Sequence, residues 1–170
     1  RDTFHGEGWL VNFADDFIAC FSEEEDAEKF YADLKRRLAE FGLTLQEEKT
    51  KLIEFGSRAQ ASRKEKGDGK PETFDFLGFT HYCSKSRKGW FRVKRRTSRK
   101  KFRKKASDMS QWLKKSRGMK VSLLIKKVNQ KLRGHYQYYG ITDNSRMLVQ
   151  YSYETRKALF KWLNRRSQRR

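Results

Sequence analysis

Charge divides this chain into two unlike halves, and any fold must accommodate that division. Residues 1–56 carry 7 Lys+Arg against 14 Asp+Glu, a net of −7. Residues 57–170 carry 34 against 7, a net of +27, which brings the whole chain to +20. An acidic head on a strongly basic body points to two jobs in one polypeptide. A field this positive attracts polyanions, nucleic acid first and anionic membrane second. Aromatic residues at 14% exceed what a disordered basic tail carries, so the charge sits on something that folds. A length of 170 residues suffices for one domain with a real core or for two small ones.

Several classes are set aside at once. No apolar run approaches the ~20 residues of a membrane span, and no signal peptide is visible. Cys20 and Cys83 stand far apart without a CxxC or Cys/His cluster, so the expectation is two reduced, buried thiols and no zinc site. The chain begins with Arg1, and its first apolar run follows almost immediately. That reads as a piece of a longer protein.

The acidic head opens with two short apolar runs, residues 9–14 and 17–21, flanking Asp15-Asp16. Trp9, Val11 and Phe13 alternate on one, and Phe17, Ala19 and Phe21 on the other, which predicts a β-hairpin with the aspartates at its turn. Ser22 and Glu25 have capping-box spacing. Ala27, Phe30, Tyr31, Leu34, Leu38 and Phe41 follow at helical spacing, and Gly42 is placed to end the helix. Residues 43–45 and 51–55 are short strand candidates around a polar turn at 46–49. Hairpin, helix and strand make an α+β pattern.

Residues 57–72 hold no apolar side chain larger than alanine and include Gly67, Gly69 and Pro71, which predicts a flexible loop. Residues 74–82 and 90–93 then read as a second hairpin. Three amphipathic helices close the chain, over about 98–117, 121–139 and from 143–145 onward, with Gly118 and Gly140 as stops. The stripe of the second is Val121, Leu124, Ile125, Val128, Leu132, Tyr136 and Tyr139, with Tyr138 and His135 beside it. Basic residues lie opposite each stripe, so the product is a small bundle with a cationic outside.

Asp15-Asp16 is the sharpest chemical signal. Two-metal phosphoryl transfer needs carboxylates converging on one point to hold Mg²⁺. A tight turn enclosed by aromatic strands presents two of them together. An acidic surface turn is the ordinary alternative for such a pair, and only context separates the two.

That context is a resemblance. Phe13-Ala14-Asp15-Asp16 resembles the Y/F-x-D-D box of reverse transcriptases. Asn12-Phe13-Ala14-Asp15-Asp16-Phe17 is similar to the variant in reverse transcriptases encoded by bacterial group II introns, also called maturases. Gly42-Leu43-Thr44-Leu45-Gln46-Glu47-Glu48-Lys49-Thr50-Lys51 resembles the next palm motif, and Phe76-Leu77-Gly78-Phe79 the primer-grip hairpin. Leu132-Arg133-Gly134-His135-Tyr136-Gln137-Tyr138-Tyr139-Gly140 resembles the core of the thumb, or maturase-specific X domain. The motifs stand in the family's order.

The resemblance implies a partial polymerase palm over 1–72, a primer-grip-like hairpin over 73–96 and a helical thumb over 97–170. It implies that Asp15 and Asp16 are metal ligands for Mg²⁺. Lys49 would face the phosphates of an incoming deoxynucleotide, although read alone it is a solvated lysine in a polar turn. Leu77, Gly78 and Phe79 would position the primer end, with Gly78 read equally well as a bulge glycine. The family also draws an aspartate from an earlier palm strand, whereas only Asp2 and Glu7 precede Asp15 here. The expectation is a longer, active parent and an inactive isolated chain, in the bacterial cytoplasm.

The basic body carries the second signal. Residues 92–105 hold ten Lys or Arg in fourteen positions, with no acid between Val93 and Ser107. Arg92, Lys94, Arg95, Arg96, Arg99, Lys100, Lys101, Arg103 and Lys104 are therefore candidate phosphate contacts, and Arg133 joins them from its motif. Arg165, Arg166, Arg169 and Arg170 add a cationic end. The expected partners are group II intron RNA and an RNA/DNA template-primer. A non-catalytic RNA-binding splicing module is the alternative function.

Overall fold

The computed structural model describes residues 5–166. Asp2, Arg169 and Arg170, singled out above, lie outside them. The chain forms two compact units that divide between Glu54 and Phe55. No charged residue falls at positions 55–56, so the division of charge and the division of structure coincide.

In the first unit, β1 (Gly8–Phe13) and β2 (Asp16–Phe21) pair antiparallel, from Gly8 opposite Phe21 to Phe13 opposite Asp16. Helix α1 (Glu24–Glu40) packs on β2, with the Phe21 and Phe30 rings 5.2 Å apart. Asp26, on the first turn of α1, is buried and accepts the backbone N–H groups of His5 (3.0 Å) and Gly6 (2.8 Å). Those bonds tie the segment before β1 to the helix. The His5 bond leads in holding the Asp26 carboxyl below the usual range.

Two local expectations change here. Ser22 does not cap α1. Its hydroxyl accepts the Glu7 N–H at 2.9 Å, and the helix starts after Glu23 with no side-chain cap. Glu24, Glu25 and Asp26 in the first turn complement the helix dipole instead. No strand forms at 43–45 or 51–55. Among the described residues β1 and β2 pair only with each other, and neither outer edge takes up these segments. The stretch is held instead by a turn in which Lys49 and Thr50 N–H both reach the Gln46 carbonyl at 3.0 Å. The C-terminus of α1 does end as expected, at Gly42 with φ 68 and the Leu43 N–H on the Leu38 carbonyl.

The second unit begins with a helix where a loop was expected, α2 (Ala59–Glu65). Its sequence, Ala-Gln-Ala-Ser-Arg-Lys-Glu, consists almost wholly of good helix formers, and Gly67 lies beyond its end. The expected hairpin is a three-stranded antiparallel sheet, β3 (Phe74–Phe76), β4 (Phe79–Lys85) and β5 (Phe91–Thr97). Leu77 and Gly78 break the first strand with φ 49 and 81. Positive φ at both central residues suits the twist of a two-residue hairpin turn.

Helices α3 (Arg99–Ser116), α4 (Val121–Tyr139) and α5 (Ser145–Asn164) follow the sequence expectation closely. Met109, Leu113, Leu124, Val128 and Tyr151 form their core, with Phe102, Trp112, Leu132 and Trp162 packed around it. On α4 the buried stripe runs through Leu124, Val128, His135 and Tyr139. His135 takes the place expected of Tyr136, while Val121 and Ile125 are exposed.

Asn144, fully buried ahead of α5, joins sheet to bundle. It accepts the Thr97 N–H (2.8 Å) and donates to Thr97 Oγ1 (2.9 Å) and the Tyr139 carbonyl (2.8 Å). Among the described residues, no helix is long and apolar enough to cross a membrane.

Candidate functional site

The acidic turn consists of Ala14 and Asp15, with Asp16 opening β2 opposite Phe13. Ala14 has φ 50, a left-handed conformation costing a non-glycine residue about 1 kcal/mol. Both aspartates are exposed, and neither forms an ion pair among the described residues. The strands beneath them are apolar yet open: Trp9 is 68% and Phe13 62% exposed. Cys20, expected to be buried, is exposed on β2. A two-stranded ribbon with a single helix against it cannot cover both of its faces.

Lys49 stands exposed on the 46–50 turn in the same unit and makes no ion pair with either aspartate. Its turn is tethered through Glu47, which meets Lys35 on α1 at 2.7 Å. Among the described residues, no group of three His, Cys, Asp or Glu side chains could by itself hold a metal. The acidic turn contributes two carboxylates.

In the second unit the structure gathers the 77–79 turn, α3 and the end of α4. The Tyr138 hydroxyl donates to the Leu77 carbonyl at 2.9 Å, and the Ser98 N–H donates to the Gly78 carbonyl at 2.9 Å. A Cβ on Gly78 would stand 3.0 Å from the Tyr139 hydroxyl and 3.8 Å from Lys101 Cγ. Phe79 is buried, its ring 5.9 Å from Tyr138 and 5.2 Å from Tyr139. Gly78 is therefore neither a free surface glycine nor a bulge. It is a left-handed turn residue pressed against tyrosine. Lys105 lies 5.6 Å from the centre of the Tyr139 ring, which adds a cation to the same corner.

The basic run is exposed along β5 and α3, apart from half-buried Lys94. Two of its cations have carboxylate partners: Arg92 with Asp143 at 3.2 Å and Lys104 with Asp108 at 3.4 Å. Arg96 covers the Tyr82 ring at 5.4 Å. Arg95, Arg99, Lys100, Lys101 and Arg103 have no carboxylate within ion-pair distance among the described residues. Arg133 is exposed on α4. Free cations on one strand and the helix that follows it suit phosphate contacts.

Sequence reasoning missed Asn144 and the depth of His135. His135 stacks on Tyr151 at 3.8 Å and on Tyr139 at 4.7 Å. Burial, with a smaller contribution from Lys105, lowers its pKa to about 4. Helical spacing from Leu124 and Val128 was the available signal for His135. Asn144 gave none, because its bonds to Thr97 span 47 residues and no periodicity encodes them.

Two family models match the chain. Reverse transcriptase (RNA-dependent DNA polymerase) covers residues 4–81, and the group II intron maturase-specific domain covers residues 99–170. No curated protein and no solved structure gives a match. The first match contains the acidic turn, Lys49 and the 77–79 turn, and the second contains α3, α4 and α5. With both matches present in this order, and with the acidic hairpin and cationic bundle they cover, the chain belongs to the reverse transcriptase/maturase family encoded by group II introns.

Proposed function

We propose that this chain is the C-terminal part of an RNA-directed DNA polymerase that binds its intron RNA and a template-primer. In the parent, deoxynucleotides are joined by two-metal phosphoryl transfer. The observation that carries this reading is the acidic turn. A left-handed Ala14 holds Asp15 and Asp16 exposed at the tip of an apolar hairpin, inside the segment that matches reverse transcriptases.

Mg²⁺ takes one or two carboxylates, keeps several waters and completes its shell with substrate phosphates. Two adjacent, unpaired carboxylates fit that demand. Bound there, Mg²⁺ supplies Lewis-acid stabilisation of charge on the transferring phosphoryl group. Asp15 and Asp16 hold and orient the ion. Lys49 offsets negative charge on the leaving pyrophosphate. The Leu77-Gly78 turn, braced by Tyr138 and Ser98, positions the primer end, and Phe79 anchors that turn from inside. Arg95, Arg99, Lys100, Lys101 and Arg103 contact phosphates, as do Lys94, Arg96 and Arg133. Arg92 and Lys104 join them when nucleic acid displaces their carboxylates.

The resemblance implies a further aspartate from an upstream strand, so the parent polymerises and the 170 residues alone do not. Such a protein works beside its intron transcript, in the bacterial cytoplasm. The maturase-specific match and the net charge of +27 in residues 57–170 favour a second, compatible role in splicing, as a clamp on folded intron RNA.

The test is primer extension on an RNA template with Mg²⁺, using the full-length parent and its Asp15→Asn/Asp16→Asn variant, with RNA affinity measured alongside. Extension is expected to disappear while affinity persists. A wild-type parent that never extends a primer overturns the polymerase reading and leaves the splicing clamp. Extension by the isolated 170 residues overturns the claim that they are incomplete.

A further inference from the structure

The far end of the helical bundle carries a charge cluster that the basic run does not include. Helices α3 and α5 end side by side. Trp162 Nε1 donates to Ser110 Oγ at 3.2 Å, and the Arg166 guanidinium donates to the Arg117 and Met119 carbonyls just beyond α3. Around Trp162 three cations converge. Lys114 of α3 lies 5.7 Å from the ring centre, Lys161 5.3 Å and Arg165 5.2 Å. Each is exposed, and none has a carboxylate within ion-pair distance among the described residues. Lys115 and Arg117 extend the cluster across the end of α3, where they line a shallow cleft with Gln111 and Lys114.

The ordinary explanation is that cations suit helix C-termini. Two such ends supply only about −0.5 charge each, and Arg166 already caps the α3 end. Five further cations, Lys114, Lys115, Arg117, Lys161 and Arg165, stand against roughly one unit of negative charge. Three positive charges within 6 Å of a common point repel one another, and a solvated surface would have them diverge into water. Packed indole holds them together, and a polyanion relieves the repulsion.

The cluster is also separate from the run on β5 and the start of α3. Between Lys105 and Lys114 the only charged side chain is Asp108. Nine residues of helix set the two cationic regions about 14 Å apart along α3, and Arg99 stands about 22 Å from Lys114. One phosphate cannot touch both.

We propose that this end of the bundle is a second phosphate-backbone site, and that α3 lies along folded RNA as a two-point clamp. The β5–α3 run grips one stretch of backbone, and the Trp162 cluster grips another. This inference rests on the nucleic-acid-binding reading above and adds a second site to it. Linked contacts raise affinity by local concentration without any new chemistry.

The test measures the salt dependence of binding to a long RNA hairpin by three forms of the chain: wild type, Lys114→Ala/Lys161→Ala/Arg165→Ala, and Arg95→Ala/Arg99→Ala/Arg103→Ala. Each variant is expected to lower the magnitude of the slope of log affinity against log salt by about 2–3. A Lys114→Arg/Lys161→Arg/Arg165→Lys variant, which keeps charge and Trp162, should retain the wild-type slope, with circular dichroism as the check that the bundle of each variant is folded. If the Trp162 variant keeps the wild-type slope while the Arg95 variant loses it, the second site does not exist and the first stands. If the Trp162 variant alone loses it, the second site stands and the placement on β5–α3 fails. Unchanged slopes in both overturn both.

Discussion

At the residue scale, Asn144 and His135 show how much one buried polar group can hold. Asn144→Ala would strand the Thr97 N–H in a dry setting and take one of two donors from the Tyr139 carbonyl, which keeps the Ile141 N–H at 2.9 Å. The expected loss is about 1–3 kcal/mol of unfolding free energy, read from urea midpoints at unchanged m-value. His135 makes stability depend on pH. Folded, its imidazole takes a proton only near pH 4, because burial and then Lys105 disfavour the charge. Unfolded, it does so near 6.5. Its neutral-state contribution is therefore complete above pH 6.5 and is lost as pH falls towards 4. The loss should amount to about 1–3 kcal/mol. In His135→Phe the urea midpoint should vary less across that window, and an unchanged pH dependence would assign the effect to other groups. Helical spacing made the place of His135 legible, but its burial came from Tyr139 and Tyr151 closing on it.

At the element scale, the 77–79 turn shows why a motif glycine is needed. Gly78→Ala meets two penalties, φ 81 and a contact at 3.0 Å with the Tyr139 hydroxyl. Together they should destabilise the second unit by about 1–3 kcal/mol. Adding Tyr139→Phe removes the contact but leaves the backbone strain, so the double variant should recover part of the loss and no more. Full recovery would mean that φ there is harmless. Elsewhere, α3 to α5 matched their sequence pattern because each carries a whole apolar stripe within one segment. The strands expected at 43–45 and 51–55 did not form: the Leu43 N–H goes to the Leu38 carbonyl and the Lys49 and Thr50 N–H groups to the Gln46 carbonyl, so backbone between them is bonded locally rather than in a ladder. Helix α2 formed in an expected loop because an absence of large apolar residues lowers burial without opposing helix.

At the scale of the whole molecule, the two units differ in how they are held. The bundle encloses Leu113 and Leu124 at 0% and 1% exposure, and Leu113→Ala should cost about 2–5 kcal/mol in a denaturant titration. The hairpin has Trp9, Leu10, Val11 and Phe13 open to solvent. Amides of β1 and β2 should therefore exchange with solvent long before those in the middles of α3, α4 and α5. Equal protection in both units would show that the hairpin is stabilised by contacts beyond α1.

Taken alone, the sequence determined the division of charge, the hairpin that presents Asp15 and Asp16, the three closing helices and the cationic run. Each of these is a local pattern, set by spacing and side-chain type within one segment. Only the tertiary structure decided that Asn144 joins sheet to bundle, that Tyr139 closes on Gly78, and that Lys114, Lys161 and Arg165 converge on Trp162. Those contacts join residues far apart in the chain, and no periodicity encodes them. They follow from which stripes pack together and which helix ends then meet.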